Sequence, residues 1–448
     1  MRRHGQGVGA SQPQAGPSTG ATDAASRARV RVGHWPWLLA GVFLLALLPR
    51  VWWVRHWILP PYGDQSSLER FAANVAQGLY YGTHGAYWPP AFIFLAGFVE
   101  RFLGTGHSFL AVRTVDAVLG AATAVLAADI GRRLTDSRAV GVLAGVLWAL
   151  YRPGIYYTDA FLSVTLGTLT FLAVIDALLW FRPRPTAWRL VACGVLLGLG
   201  TLTKPTELPL IIPAFVYFGL RRPRGFDLRF AALATAGILA VALAVNVPWT
   251  VRNLRVTGAP VFVDVNGGVN FYIAHNPRAT GEWMNLGNHN PVLARGDGYD
   301  RPLTNRLALD AGMRYFLGHP GADLRTGSRV LTLFWGERDP DIAHYGQGLA
   351  PLTVALHLPL IGFHLLRDLG LFGVAVLLLR WRRTALLPVT LFGYSLGLAL
   401  LFFAPRYRLP VEPLLAVAAA TALVQLGIWF RQTWQEQREI RHDAVPWS

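Results

Sequence analysis

Apolar runs and short polar stretches alternate along most of this chain, and the apolar runs come close to the roughly 20 residues an α-helix needs to cross a hydrocarbon layer. Ten such runs lie near 35–54, 109–130, 139–157, 160–180, 188–203, 206–220, 229–250, 357–379, 385–403 and 410–430. Helix breakers such as Pro205 and Pro248 mark several of their ends. A further run, 89–103, is shorter and carries Glu100 and Arg101 near its end. Two stretches of mixed polarity, 55–108 and 251–356, interrupt the alternation. In the first, "GDQSSLERFAANVAQG" repeats Leu68, Phe71, Ala72 and Val75 at helical spacing, which predicts an amphipathic helix. In the second, the Gly- and Asn-rich "GAPVFVDVNGGVNFYIAHNPRATGEW" predicts loop, and "LTNRLALDAGMRYFLGHP" a second amphipathic helix. Loops of this length usually serve a function.

The arginines orient this pattern. Clusters occur in "GRRLTDSR" (131–138), "FRPRPTAWR" (181–189), "RRPRGFDLR" (221–229) and "RWRR" (380–383). If 89–103 crossed the membrane, the first cluster would face outside. If 84–103 instead lies on or re-enters the surface, all four clusters and the basic N-terminal tail face the cytoplasm, as the positive-inside rule requires. The expectation is therefore an all-α polytopic protein of about ten transmembrane helices, both ends inside, with 55–108 and 251–356 as outer loops. Its parts are a disordered basic tail (1–34), a module of seven spans (35–250), a long outer loop (251–356), three C-terminal spans (357–430) and a cytoplasmic tail (431–448).

Composition narrows the classes. With 53% hydrophobic and 15% charged residues, and a mean hydropathy of +0.36, the chain is too apolar for an ordinary soluble protein of 448 residues. The net charge of +16 resides largely in the loop clusters, so it reads as topology rather than nucleic-acid binding. Cys193 is the one cysteine, which excludes an intrachain disulfide and a thiolate metal cluster. No small-residue cleavage site follows the first run, which therefore reads as a retained span.

A few polar residues stand where polar residues are costly. Asp64 opens the first amphipathic helix; it either caps that helix or serves as a general base at the water–lipid boundary. Asp159, in "YRPGIYYTDAFLSVTL", reaches the same side of the membrane, with the same two readings. Lys204, Arg252, Arg406 and Arg408 lie at outer span ends, against the inward bias of positive charge. Snorkelling explains each alone, and Glu207 and Glu412 could neutralise them; together they suit a phosphate or pyrophosphate at the surface. "YWPPAF" (87–92) shapes the approach, with Trp88 as an interfacial anchor. His84, His275 and His289 lack metal-ligand spacing, and "HNP" (275–277) and "NGG" (266–268) read as turns. P-loop, dinucleotide-fold and nucleophile-elbow motifs are absent from the sequence.

The ordered series "GDQSSLERFAANVAQG", "YWPPAFIFLAGFVERFLG", "AVRTVD", "YTDAFL", "GTLTKPTELPL", "PWTVRNLRVTGAPV", "GGVNFYIAHNP" and "RYRLPVEPLL" resembles the GT-C superfamily of membrane glycosyltransferases. The nearest likenesses are bacterial relatives of the protein O-mannosyltransferases and of the aminoarabinose transferase of lipid A. The resemblance covers roughly 35–430 and implies a bacterial plasma-membrane enzyme. Such an enzyme passes a sugar from a polyprenyl-phosphate donor to a lipid, glycan or protein acceptor on the extracytoplasmic side. It implies catalytic roles for Asp64 and Asp159 and phosphate-facing roles for Lys204, Arg252, Arg406 and Arg408, with Arg113 structural. Tyr87, Trp88, Asn270, Tyr272, His275 and Asn276 would shape the substrate site. Where the family usually has a second acid after the first, this chain has Gln65. No cofactor is required on this reading, although the oligosaccharyltransferase branch leaves a divalent cation open. A lipid-linked-sugar transporter or flippase is the rival from a different class.

Overall fold

A computed structural model describes residues 34–57, 63–79, 86–104, 109–180, 186–220, 227–287, 290–296, 301–336 and 360–443. The first 33 residues, His84 and His289, and the first parts of two arginine clusters (181–185 and 221–226) lie outside these ranges.

Helices occupy all ten of the expected stretches, and among the described residues the regular structure is helical apart from two isolated bridges. The chain is an all-α membrane fold. We number its main helices α1 (Trp35–His56), α2 (Asp64–Ala76), α3 (Pro90–Leu103), α4 (Leu110–Thr135), α5 (Arg138–Ala149), α6 (Val164–Leu179), α7 (Ala187–Thr203), α8 (Ile211–Leu220), α9 (Leu228–Thr257), α10 (Gly267–Ala274), α11 (Pro302–Gly318), α12 (Pro320–Trp335), α13 (Phe363–Leu378), α14 (Leu386–Leu398) and α15 (Glu412–Asp443). Among the described residues, four stretches are long and apolar enough to cross a membrane: α1, α4, α9 and 405–438, which contains most of α15. Many of their exposed side chains are apolar, as lipid contact demands: Leu44 and Leu48 on α1, Leu233 and Val247 on α9. Shorter apolar helices, α5 to α8 and α14 among them, fill the bundle.

Close approach between helices relies on small residues, because apolar surface gains nothing by leaving lipid and packing must supply the attraction. Gly194 and Gly198 on α7 face Val241 and Val245 of α9, where any β-carbon would come within 2.5 and 2.7 Å of those side chains. The first half of α15 runs through the middle of the bundle: Leu414, Leu415 and the small residues from Ala416 to Ala420 are fully enclosed.

The first outer loop folds as a helical hairpin. Gly97 of α3 packs directly on Val75 and Ala72 of α2, too close for a β-carbon. At 14 residues α3 is about 21 Å long, short of the roughly 30 Å hydrocarbon thickness. In the second loop, the amphipathic helix expected from "LTNRLALDAGMRYFLGHP" is α11, and part of the stretch read as loop is helical, as α10. Gly268 lets the two meet, its N–H donating to the Asn305 side chain at 2.6 Å.

Candidate active site

Asp64 is the first residue of α2. Gly63 before it has φ +58°, in the left-handed region that glycine enters without strain, so the chain turns sharply into the helix there. The N-cap position is Gly63, which has no side chain to cap the helix. The Asp64 side chain reaches across the molecule to Arg406, whose Nη2 donates to Oδ2 at 2.8 Å, while Oδ1 has no partner among the described residues. The pair is open to solvent on one side, with 36% of the Asp64 side chain and 18% of the Arg406 side chain accessible.

Arg406 lies in a 3-10 turn, Pro405–Tyr407, between α14 and α15. Its guanidinium carbon is 5.5 Å from the Tyr407 ring centre, and Lys204 brings its ammonium to 5.9 Å from the same ring. Two cations thus flank one aromatic ring beside one carboxylate. The ring is anchored from behind, because Tyr394 donates its hydroxyl to the Tyr407 carbonyl at 2.8 Å. Lys204 sits in the break between α7 and the turn Pro205–Leu210, its stem against Gly167 of α6, where a β-carbon would be 3.0 Å from Cδ. Burial lowers the Lys204 pKa to about 8; Arg406 pushes it the same way and Glu207 opposes. Glu207 is itself buried, accepts a hydrogen bond from Thr170 at 2.8 Å, and occupies the space left by the missing side chain of Gly200.

Asp159 lies in the bend that precedes α6. It is fully enclosed, and Arg113 donates to its carboxylate at 2.7 Å and also to its backbone carbonyl. The same guanidinium reaches Glu69 of α2 at 3.2 Å. Arg113 therefore pins the helix that carries Asp64 to the segment that carries Asp159. Burial raises the Glu69 pKa, with Arg113 working against the rise. Glu69 is absent from the sequence-based set. One signal for it was present: an acid placed one turn beyond Gln65, on a helix whose apolar face is otherwise regular.

Arg408, two residues from Arg406, points into the protein. It is buried, donates to Glu412 at 2.6 Å and to the Phe334 carbonyl at 2.9 Å, and lies over the Phe363 ring. Arg252 lies over Trp249 at 4.7 Å, on the part of α9 whose indole bonds the Val263 carbonyl. Tyr87 and Trp88 pack edge to face, Tyr87 against a small cluster of Ala86, Val261 and Val265. The nearby Asp264, also outside the sequence-based set, has its carboxyl pushed up to about 7 by burial.

Within the outer loop, His275 is a buried tie. Its Nδ1 is 2.8 Å from Asp323 and its Nε2 3.0 Å from the Leu400 carbonyl. Asn276 closes the end of α10 by donating to the Tyr272 and Ile273 carbonyls, and Tyr272 packs on an apolar cluster that the loop shares with Phe402 and Tyr407. Asn270 is half-buried on α10. Among the described residues no three His, Cys, Asp or Glu side chains come together as a metal site. The donor set around Asp64 does not suit one either, since its acid neighbour is replaced by Gln65 and its carboxylate is engaged by a guanidinium.

Comparison with known proteins follows the same lines. Residues 88–249 match the family model described as dolichyl-phosphate-mannose-protein mannosyltransferase. The oligosaccharyltransferase of Archaeoglobus fulgidus in complex with Zn and sulfate superposes with a TM-score of 0.55 at 13% identity, covering 91% of this chain and 51% of that one. The oligosaccharyltransferase AglB from Archaeoglobus fulgidus, in complex with an inhibitory peptide and a dolichol-phosphate, gives 0.53 at 14%, covering 93% and 53%. The chain thus spans about half the length of these structures. ArnT from Cupriavidus metallidurans bound to undecaprenyl phosphate gives 0.40 at 14%, covering 88% and 78%, too low to support an inference. A search of curated proteins found no match.

Proposed function

Taking as premise that the chain has the GT-C membrane fold, related to the protein mannosyltransferases and to AglB, we propose that it is an inverting glycosyltransferase. It moves a sugar from a polyprenyl-phosphate donor to an acceptor hydroxyl on the extracytoplasmic face of a bacterial plasma membrane, with ten spans and both ends inside. The observation that carries this reading is the meeting of Asp64, Arg406 and Lys204 around Tyr407, a carboxylate beside two cations at the open end of an apolar bundle. The dolichol-phosphate held by the archaeal oligosaccharyltransferase supports a lipid phosphate as the ligand.

The chemistry follows from that arrangement. The lipid tail lies against the apolar helices and its phosphate between Lys204 and Arg406. Arg406 has five N–H donors, so it can hold Asp64 and a phosphate oxygen together. Oδ1 of Asp64 takes the proton of the acceptor hydroxyl as its oxygen attacks the anomeric carbon. The bond from that carbon to the phosphate oxygen breaks, and the electron pair leaves with the phosphate, where the two cations stabilise the growing charge. One base and a good leaving group call for a single displacement, hence inversion; retention would need a nucleophilic carboxylate within reach, and Asp159 is enclosed behind Arg113. Asp159 and Arg113 are positioning residues on this reading, and Arg408 holds Glu412 rather than donor. No step is routed through a metal.

The test is sugar transfer by purified protein in detergent from a panel of labelled polyprenyl-phosphate monosaccharides. Wild type should turn over without any gradient, and Asp64→Asn should bind donor and lose transfer. Equal turnover by Asp64→Asn would remove Asp64 as the base. Lipid translocation without sugar transfer, in reconstituted vesicles, would favour the transporter reading.

A further inference from the structure

At the end of the bundle opposite Asp64, four helix ends surround a cavity of about 510 Å³. Twenty residues of α4 separate Arg113, near the candidate active site, from Arg133 at this cavity, about 30 Å of helix and thus one hydrocarbon thickness. Arg132, Arg133, Arg138 and Arg189 line it, with Asp136 the acid among them. Leu179, Trp180 and Trp188 form its apolar wall.

Two of the arginines are held in place from behind. Arg132 gives its Nε and Nη2 to Asp129, at 3.1 and 2.8 Å. Arg133 gives its Nε to Asp129 and lies 3.1 Å from Asp176 through the same atom. Trp35 also donates to Asp129, at 3.2 Å. Consequently Nη1 of Arg132 and both terminal nitrogens of Arg133 have no hydrogen-bond partner among the described residues. These two side chains are about one-third accessible, on the cavity side. Helix-end arginines that only satisfy the positive-inside bias have no need of buried carboxylates to orient them, nor of a concavity between four helices. Guanidinium groups whose orientation is already set lose less freedom on binding a second, anionic partner, and their planar forks match phosphate oxygens.

We propose that this cavity binds the phosphate of an anionic membrane lipid in the leaflet opposite the candidate active site. The tryptophans and Leu179 favour a lipid over a free phosphate, because indoles sit at the headgroup level and an apolar wall suits the start of an acyl chain. Basic pockets between membrane helices on the cytoplasmic side take headgroups by this chemistry. The proposal is independent of the sugar-transfer reading, and its test does not use that activity.

The experiment is lipid retention measured by native mass spectrometry, after extraction from vesicles containing equimolar phosphatidylglycerol and phosphatidylcholine. Wild type should retain phosphatidylglycerol preferentially. Arg132→Gln/Arg133→Gln should lower that preference by roughly 30-fold, because the anionic headgroup is then no longer attracted by two basic side chains. Because those arginines also neutralise Asp129 and Asp176, exposed Arg138→Gln and Trp188→Ala form a second variant that leaves the buried pairs intact; it should lower the preference while the thermal midpoint stays unchanged. Equal retention of the two lipids by wild type, or full retention by both variants, would overturn the site. Complete displacement of the lipid by inorganic phosphate or glycerol phosphate would assign the site to a free anion and overturn the lipid.

Discussion

Replacing Arg113 by methionine removes the charge that joins α2 to the Asp159 segment while keeping most of the side-chain volume. Arg113 is 2% exposed and Asp159 wholly enclosed, so the change leaves a buried carboxylate without its counter-ion. Breaking such a pair from one side costs about 3–5 kcal/mol. The Glu69 pair is partly solvated and adds only about 0.5–1 kcal/mol. Together these give a loss of roughly 3.5–6 kcal/mol. A reversible unfolding titration in mixed micelles measures it directly. Asp159→Asn in the same protein should recover more than half of the loss, since the neutral amide needs no counter-ion. Sugar transfer from the lipid-phosphate donor should fall in the single variant even where it is folded, because α2 carries Asp64. The reasoning fails if Arg113→Met costs less than about 1 kcal/mol, the level of an exposed pair, or if the double variant is less stable than the single.

Three further outcomes follow from the same geometry. Gly200→Ala would drive a β-carbon into the Glu207 carboxylate, so it should displace Glu207, lower donor binding through Lys204, and show as a raised KM. Lys204 has a folded pKa near 8, below its unfolded value of about 10.4, so raising the pH neutralises it first in the folded protein. Donor affinity should therefore be flat below pH 8 and fall above it, and Lys204→Arg should abolish that fall. Arg406→Leu and Arg408→Leu should separate binding from stability. The first should weaken donor binding with little effect on unfolding; the second should cost about 3–5 kcal/mol by stranding buried Glu412, measured in the same titration.

Much of the helical architecture is legible in the chain, because a helix that crosses lipid must be apolar over a definite length and must end at breakers or charge. The stretches 109–130 and 229–250 were expected and became α4 and α9, each extended by the turns that carry arginines or asparagines past the apolar run. Asp64 was legible too, as an acid at the head of an amphipathic helix. Its partner was not: Arg406 is 342 positions away, and no local pattern reports which distant charge a carboxylate will meet. Arg406 and Arg408 look alike in "RYRLPVEP", yet a 3-10 turn sends one toward Asp64 and the other over the Phe363 ring. Likewise the pairing of Asp159 with Arg113, 46 positions away, has no local signal. Composition and periodicity record what each segment prefers on its own. The pairing of charges depends on how closely helices approach, and packing as tight as Gly194 and Gly198 on Val241 and Val245 arises only once the whole bundle has closed.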